Sequence, residues 1–181
     1  MPEATDDSET LILADALYAA RSALAECNRA PERLGVAELV RFLQRSDSML
    51  SAGQQRILFA SARLRSDYQL IKSRLARLDL PALAAASSGR VSSRQFQGGS
   101  VHIHPSRVED QTYVIVRVRE RQKPPHSILL EGGGGEIVKR ALPAMDAKGE
   151  IMLVLDRNSP SDEAFLRLIS DPTSVGSLLL S

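Results

Sequence analysis

Apolar residues in the first half of the chain recur at intervals of three and four, the spacing that places them on one face of a helix. The first series comprises Leu13, Leu17, Ala20, Leu24 and Cys27. Pro31 and Gly35 interrupt it, and a second series follows with Val36, Leu39, Val40 and Leu43. The two series predict an amphipathic first helix and a short second helix that ends near Ser46.

A third helix is expected to begin after Ser51, which is a favourable N-cap residue, and to continue until Pro81. Its apolar residues repeat every seven positions at Ile57, Leu64, Ile71 and Leu78. This heptad pattern fits either a helical hairpin with the first helix or a dimeric coiled coil. We favour the hairpin because the first helix offers a matching apolar stripe.

Residues 86–100 separate the two halves of the chain. Eight of these fifteen residues are Ser or Gly, a composition typical of a linker. Val91 and Phe96 interrupt the polar run. Part of this segment is therefore expected either to form an edge strand or to pack against one half of the chain.

In the second half the apolar residues alternate with polar ones, as in strands with one buried face. The clearest case runs from Thr112 to Arg119, where Val114, Val116 and Val118 share a face. Further strands are expected at 101–104, 127–131, 136–142, 151–156 and 175–180.

A single late helix is expected from Ser161 to Ser170, behind Ser159 as N-cap and Pro160 at the first helical position. The whole pattern predicts an α+β protein. Residues 1–85 would form an N-terminal helical hairpin of about three helices, and residues 86–100 the linker. Residues 101–181 would form a small antiparallel β-sheet domain with one C-terminal helix.

Composition narrows the class of protein. The 181 residues carry a net charge of +1 and are 43% hydrophobic, which excludes a disordered polyelectrolyte and a collagen-like chain. No apolar run approaches the length of a membrane helix, and the acidic N-terminus does not resemble a signal peptide. The single cysteine, Cys27, cannot form an internal disulfide. We therefore expect a cytoplasmic protein.

The charge is unevenly distributed. Residues 1–50 carry five Arg and nine acidic residues, whereas residues 51–95 carry eight basic residues against Asp67 and Asp79. In the heptad frame of the third helix, Arg56, Arg63 and Arg77 share one flank, and Arg65 and Lys72 lie on a neighbouring one. This basic surface is our candidate contact site for a protein partner. Nucleic acid is the less favoured alternative, because no aromatic residues interleave with the arginines to stack bases.

His102 and His104 form the sharpest candidate for chemistry. Alternate residues of a strand point to the same face, so both imidazoles could reach one metal ion, with Glu109 or His126 as a third ligand. The spacing of the two histidines and Glu109 resembles the first metal-binding motif of cupins, which implies a metal-dependent enzyme or sensor. The glycines that frame the cupin motif and its second histidine motif are missing from this sequence.

Other motifs favour structural roles. The run Gly132–Gly135 leads into a strand rather than a helix, which predicts a mobile hairpin loop rather than a phosphate site. Cys27 lies on the apolar stripe of the first helix, where a buried thiol is expected. The leading hypothesis is thus a non-catalytic cytoplasmic adaptor or regulatory protein that binds another protein and forms a homodimer. No cofactor is expected, with the metal-dependent and nucleic-acid-binding functions as alternatives.

Overall fold

The computed structural model describes residues 32–83, 91–119 and 124–180 of the chain. The expected first helix, with Cys27, lies outside these ranges. Within them, no helix is long and apolar enough to cross a membrane. The four helices that these ranges contain are α1 (Val36–Gln44), α2 (Ala52–Ala60), α3 (Ala62–Leu75) and α4 (Pro160–Ser170).

Eight strands form two antiparallel sheets of four strands each in the described ranges. The first sheet has the order β1-β8-β5-β6 and the second the order β2-β3-β4-β7. Their bounds are β1 (Ala76–Leu80), β2 (Ser93–Phe96), β3 (Gly99–Pro105), β4 (Gln111–Val118), β5 (Pro125–Glu131), β6 (Ile137–Ala141), β7 (Glu150–Asp156) and β8 (Val175–Leu180).

The two sheets pack face to face around one apolar core. The second sheet contributes Val114 and Val116 of β4, and the first contributes Ile128 and Leu130 of β5. All four side chains are fully buried. Alternate residues of each strand therefore supply the interior of a β-sandwich.

The opposite face of the first sheet is also buried, under helices α1, α2 and α3. Leu129 and Leu179 of the sheet pack in one cluster with Leu39 of α1, Leu58 of α2 and Tyr68 of α3. The first sheet is therefore the middle layer of three, and its strands carry apolar residues on both faces.

Helix α4 contacts the edge strands β6 and β7 on one side of the sandwich. It buries Phe165, Leu168 and Ile169 in the sandwich core. An ion pair with an Nη2–Oδ1 distance of 2.7 Å joins Arg140 of β6 to Asp162 of α4. A single helix thus links the edges of both sheets.

The α+β class predicted from the sequence is confirmed, as is the antiparallel pairing. The predicted order of N-terminal helices followed by one small sheet is only partly matched, because two sheets form and β1 lies within residues 1–85. The alternation of β4 is confirmed as well, since Val114, Val116 and Val118 are buried. An edge strand, β2, does lie in the Ser/Gly-rich segment. The division into a helical region, a linker and a β domain stays a prediction.

The prediction of one long third helix, from Ser51 to Pro81, is wrong. Ser61 adopts an extended backbone, with φ of −101° and ψ of 113°, and its side chain caps α3 by accepting a bond from Leu64 N at 3.3 Å. The segment Ala76–Leu80 is a strand that pairs with β8. Local periodicity suggests a helix here, but pairing with a distant strand determines the structure.

Arg94 of β2 fastens the part of the sandwich where β1 and β2 are in contact. Its side chain is 1% exposed. The guanidinium donates hydrogen bonds to Ser174 Oγ at 2.9 Å, to Pro81 O at 3.0 Å and to Ser174 O. It thereby connects β2, an edge strand of the second sheet, to the residue that follows β1 and to the residue that precedes β8 in the first sheet.

Replacing Arg94 by Met should lower the free energy of unfolding by about 3 kcal/mol, because three buried oxygen acceptors would lose their donor. Urea denaturation followed by circular dichroism would measure the change. Arg107→Met, at an exposed position, is the control and should alter stability by less than about 0.5 kcal/mol. Equal effects of the two substitutions would contradict the assigned role of Arg94.

Candidate protein-binding groove

An open groove of about 580 Å³ lies between α2 and α4, with strand β6 along its floor. Helix α2 contributes Arg56 and Phe59 to one wall, and α4 contributes Ser161 and Ala164 to the other. The hairpin loop between β5 and β6 closes one end. A groove of this volume is within the range of ligand and peptide sites.

The floor of the groove is the outer edge of the first sheet. Strand β6 pairs only with β5 within the described ranges. Gly132 N donates to Glu136 O and Leu142 N donates to His126 O, both at 2.9 Å, so even-numbered residues of β6 bond to β5. The odd-numbered residues of β6 therefore direct their N–H and C=O groups away from the sheet.

Gln55 of α2 occupies the first of these outward positions. Its Oε1 accepts a hydrogen bond from Ile137 N and its Nε2 donates to Ile137 O, both at 3.1 Å. The side-chain amide thus imitates one residue of a neighbouring strand. For the next two outward positions, Lys139 and Ala141, no hydrogen bond to the backbone is found among the described residues; Lys139 is 1% exposed, whereas Ala141 is exposed.

The N-terminus of α2 is well defined, which fixes this wall of the groove. Ser51 is its N-cap, as the sequence predicts, and Ser51 Oγ accepts a bond from Gln54 N at 3.1 Å. Gln54 Oε1 in turn accepts from Ser51 N at 3.2 Å, which completes a capping box. The next residue along the helix is Gln55, whose amide reaches β6.

The loop Gly132–Gly135 is a hairpin connection, as the sequence predicts. Gly135 has a φ of +81°, which favours glycine, and a Cβ there would lie 3.3 Å from the ring of Phe59. A side chain would press against the wall of the groove. Close approach of the loop to α2 therefore depends on this glycine.

Ion pairs hold the other wall. Arg167 of α4 donates to Glu136, with Nη2 2.7 Å from Oε1 and 2.5 Å from Oε2. Asp162 pairs with Arg140 and its Oδ2 accepts from Asp156 N at 3.0 Å. These charges neutralise one another, whereas Arg56 is exposed and has no ion-pair partner in the described part of the chain.

Lys139 lies in the floor, and its side chain turns away from the groove beneath α1. Its ammonium donates to the carbonyl oxygens of Phe42 and Arg45, the latter at 2.6 Å, and lies 4.4 Å from the centroid of the Phe42 ring. The two carbonyls belong to the C-terminal end of α1, where a cation is favourable. Burial nevertheless lowers the pKa of Lys139 to about 8.

The structure separates the five basic residues that the sequence groups together. Arg56 lines the groove. Arg65 donates a hydrogen bond to Phe59 O at the end of α2, so it supports the groove wall. Arg63 is 90% exposed, with Nε 4.0 Å from Asp67 Oδ2.

Lys72 is engaged inside the protein. It forms an ion pair with Glu131 of β5, and both side chains are 14% exposed. Glu131 Oε1 also accepts a bond from Tyr68 OH at 3.1 Å, and burial with this negative charge raises the pKa of Tyr68. The backbone of Arg77 belongs to β1, and its side chain lies outside the described part.

His102 and His104 share the outer face of the second sheet, as their spacing predicts. Their rings stack with centroids 6.1 Å apart, and His102 Nε2 lies 3.0 Å from Ser100 Oγ. His126 belongs to the first sheet. Among the described residues no group of three or more His, Cys, Asp or Glu side chains is arranged to hold a metal ion. The metal site stays a prediction.

Comparison of the chain with family models, with curated proteins and with solved structures gave no match.

Most of the groove cannot be predicted from the sequence. Arg56 is among the candidate residues, but Gln55 and Phe59 carry no motif that marks them. The one signal is the glycine run, which indicates a hairpin that another element approaches closely. Nothing in the sequence shows that β6 is an edge strand, because sheet order depends on long-range pairing.

The lowered pKa of Lys139 predicts a pH dependence of stability. Its pKa rises from about 8 in the folded protein to the ordinary 10.5 on unfolding, so between these values the unfolded chain binds more protons. The contribution of Lys139 to the free energy of unfolding should therefore increase from about pH 8 to about pH 10.5.

Urea denaturation of the wild type and of Lys139→Met over this pH range would measure that contribution as their difference. Lys148→Met, at an exposed lysine, is the control. A difference that stays constant or falls with rising pH would contradict the prediction.

Proposed function

We propose that this protein is a non-catalytic adaptor or regulatory protein, and that it binds a partner protein in the groove between α2 and α4. The open groove of about 580 Å³, with the exposed Arg56 and the ring of Phe59 in one wall, is the observation that carries the proposal. Concave sites that combine apolar surface with a few polar or charged groups are typical binding sites. A cytoplasmic location is part of the proposal and is supported by the single cysteine.

The charge of the groove supports a partner with acidic residues. The ion pairs on the α4 side are satisfied internally, so Arg56 supplies the unneutralised charge. An arginine can bind a carboxylate through two parallel hydrogen bonds. Arg65 contributes indirectly, because it holds the carbonyl of Phe59 at the end of the groove wall.

Apolar surface beside Arg56 supports the same proposal. Met49, at the start of the groove, is 58% exposed, and Phe59 is partly buried against the hairpin loop. Methionine and aromatic side chains are common at protein interfaces because they adapt to a partner and bury large areas. The groove thus offers a charged contact and an apolar one side by side.

The nucleic-acid alternative has less support. It requires a continuous exposed row of cations along the third predicted helix. In the structure this segment is divided into α2, α3 and β1, and Lys72 pairs internally with Glu131. A binding titration at two salt concentrations would test it. The metal-dependent alternative is tested by elemental analysis of protein that was purified without a histidine tag.

Cross-linking from within the groove would test the proposed function. A photoreactive phenylalanine derivative placed at Ala52 or Ala164 should capture the same partner from the native extract. The same group placed at Val108, which is 55% exposed in the loop between β3 and β4, should not. Arg56→Glu should reduce capture about tenfold, because reversal converts an attraction into a repulsion.

Arg63→Glu is the matched control, since Arg63 is also exposed but does not line the groove. It should leave capture close to that of the wild type. Equal capture from Ala52 and Val108, or equal loss for the two charge reversals, would rule out the groove as the binding site.

The expected homodimer is a separate part of the proposal. Met152 and Val154 of the edge strand β7 are 56% and 49% exposed, and apolar residues on an edge strand favour association with another chain. Sedimentation velocity over a range of concentrations would test it. A monomer throughout that range would remove the homodimer without affecting the groove.

A further inference from the structure

We propose that a second cavity, on the other side of α4 from the groove, binds an α-amino acid with an apolar side chain. This inference goes beyond the proposed function and does not depend on it, because the two sites use different sides of α4. Ser161 and Ala164 line the groove, whereas Glu163 and Leu166 line the cavity.

The cavity has a volume of about 410 Å³, which is at the lower end of the range for small-molecule sites. One wall is the inner face of the second sheet, represented by Ile103 of β3 and Thr112 of β4. The facing wall is α4, and Val91 and Ser92, which precede β2, complete the lining. The lining therefore combines apolar and polar side chains around a space that fits a small ligand.

The apolar part of the lining comes from Val91, Ile103 and Leu166. Ile103 and Leu166 pack against the sandwich core but are only partly buried. Their remaining exposed surface lies in a concave site, where a ligand can remove it from water. This surface predicts an aliphatic group in the ligand.

Arg157, which follows β7, supplies a positioned cation. Its Nε donates to Thr112 Oγ1 at 3.0 Å, and Thr112 is itself only 3% exposed. This bond fixes the side chain at the wall of the cavity, and it is the one hydrogen bond of the guanidinium within the described ranges. The two terminal nitrogens can therefore bind a carboxylate through two parallel hydrogen bonds.

Glu163 supplies the opposite charge. Its side chain lines the same cavity and is exposed, and it forms no ion pair with any cation that the structure describes. The other cation of the lining, Arg167, is bonded to both carboxylate oxygens of Glu136. Among the described residues, the cavity therefore presents one unpaired charge of each sign.

The three features together match one class of ligand. An apolar α-amino acid has a carboxylate for Arg157, an ammonium group for Glu163 and an aliphatic side chain for the apolar lining. Because the charges of the lining balance, a dipolar ligand is favoured over an anion or a cation. A carboxylic acid alone would leave Glu163 beside a bound anion, and an amine alone would leave Arg157 beside a bound cation.

Titration of the isotope-labelled whole protein with L-leucine, followed by NMR, would test the site. Binding should shift the backbone amide signals of Val91, Ile103 and Leu166, with a Kd between about 10 µM and about 1 mM for so small a ligand. The amides of Ala52 and Gln55 beside the groove are internal controls and should not shift. Absence of binding at about 10 mM leucine, or shifts confined to other parts of the protein, would overturn the inference.

Analogues of leucine separate the three contacts. Glycine, which lacks the aliphatic group, should bind at least about tenfold more weakly. Isocaproate lacks the ammonium group and isoamylamine lacks the carboxylate, so each should also bind about tenfold more weakly than leucine. Equal binding of leucine and isocaproate would indicate a simple carboxylate site and would overturn the assignment of an amino acid.

Substitutions in the protein should show the complementary pattern. Arg157→Met should weaken the binding of leucine and isocaproate about tenfold and should not weaken that of isoamylamine. Glu163→Gln should weaken leucine and isoamylamine by a similar factor and should not weaken isocaproate. Arg107→Met and Glu109→Gln, at exposed positions that do not line the cavity, are the matched controls and should leave all three affinities unchanged.

Urea denaturation of each variant checks that the fold persists. Glu163 is exposed on α4, so Glu163→Gln tests the site even if the loss of the bond between Arg157 and Thr112 destabilises Arg157→Met. Loss of all three ligands to the same extent in a folded variant, or unchanged leucine binding in Glu163→Gln, would overturn the inference.

Discussion

Burial of the first sheet on both faces is the constraint on which the rest of the structure depends. Strand β5 places Ile128 and Leu130 in the sandwich core and Leu129 beneath the helices, all fully buried. The second sheet and the helical layer must therefore lie on opposite sides of the same strands. The groove follows from this arrangement, because α2 belongs to one covering layer and α4 to the other. At the β6 edge the two layers approach each other with a strip of backbone between them.

The sequence predicts those elements whose pattern reflects local burial. The alternation of Val114, Val116 and Val118 gives β4, and Ser159 followed by Pro160 gives the start of α4. The prediction of a long third helix is wrong for a physical reason. The segment Ala76–Leu80 alternates polar and apolar residues, but Leu78 also continues a heptad series, so the local pattern fits both periods. Pairing with β8 decides between them, and that strand lies almost a hundred residues away.

The candidate site is harder to predict than the fold, because its main component is backbone. A strand edge has no residue type of its own; whether β6 lies inside the sheet or at its edge depends on the order of strands. The number of basic residues in the sequence overestimates the positive charge of the surface for a related reason. The charge of Lys72 is neutralised by Glu131 of β5, which the fold brings into contact with it.

The position of β8 has a consequence for the order of folding during synthesis. This strand lies between β1 and β5, and Ser177 bonds to Asp79 across 98 positions of the chain. Until residues 175–180 have left the ribosome, β1 and β5 have no strand between them, and the first sheet cannot close. The helices that need its surface must wait as well. The groove of a nascent chain therefore cannot form until β8 has joined the sheet. A chain that ended after α4 would leave the edges of β1 and β5 unpaired and exposed to other molecules.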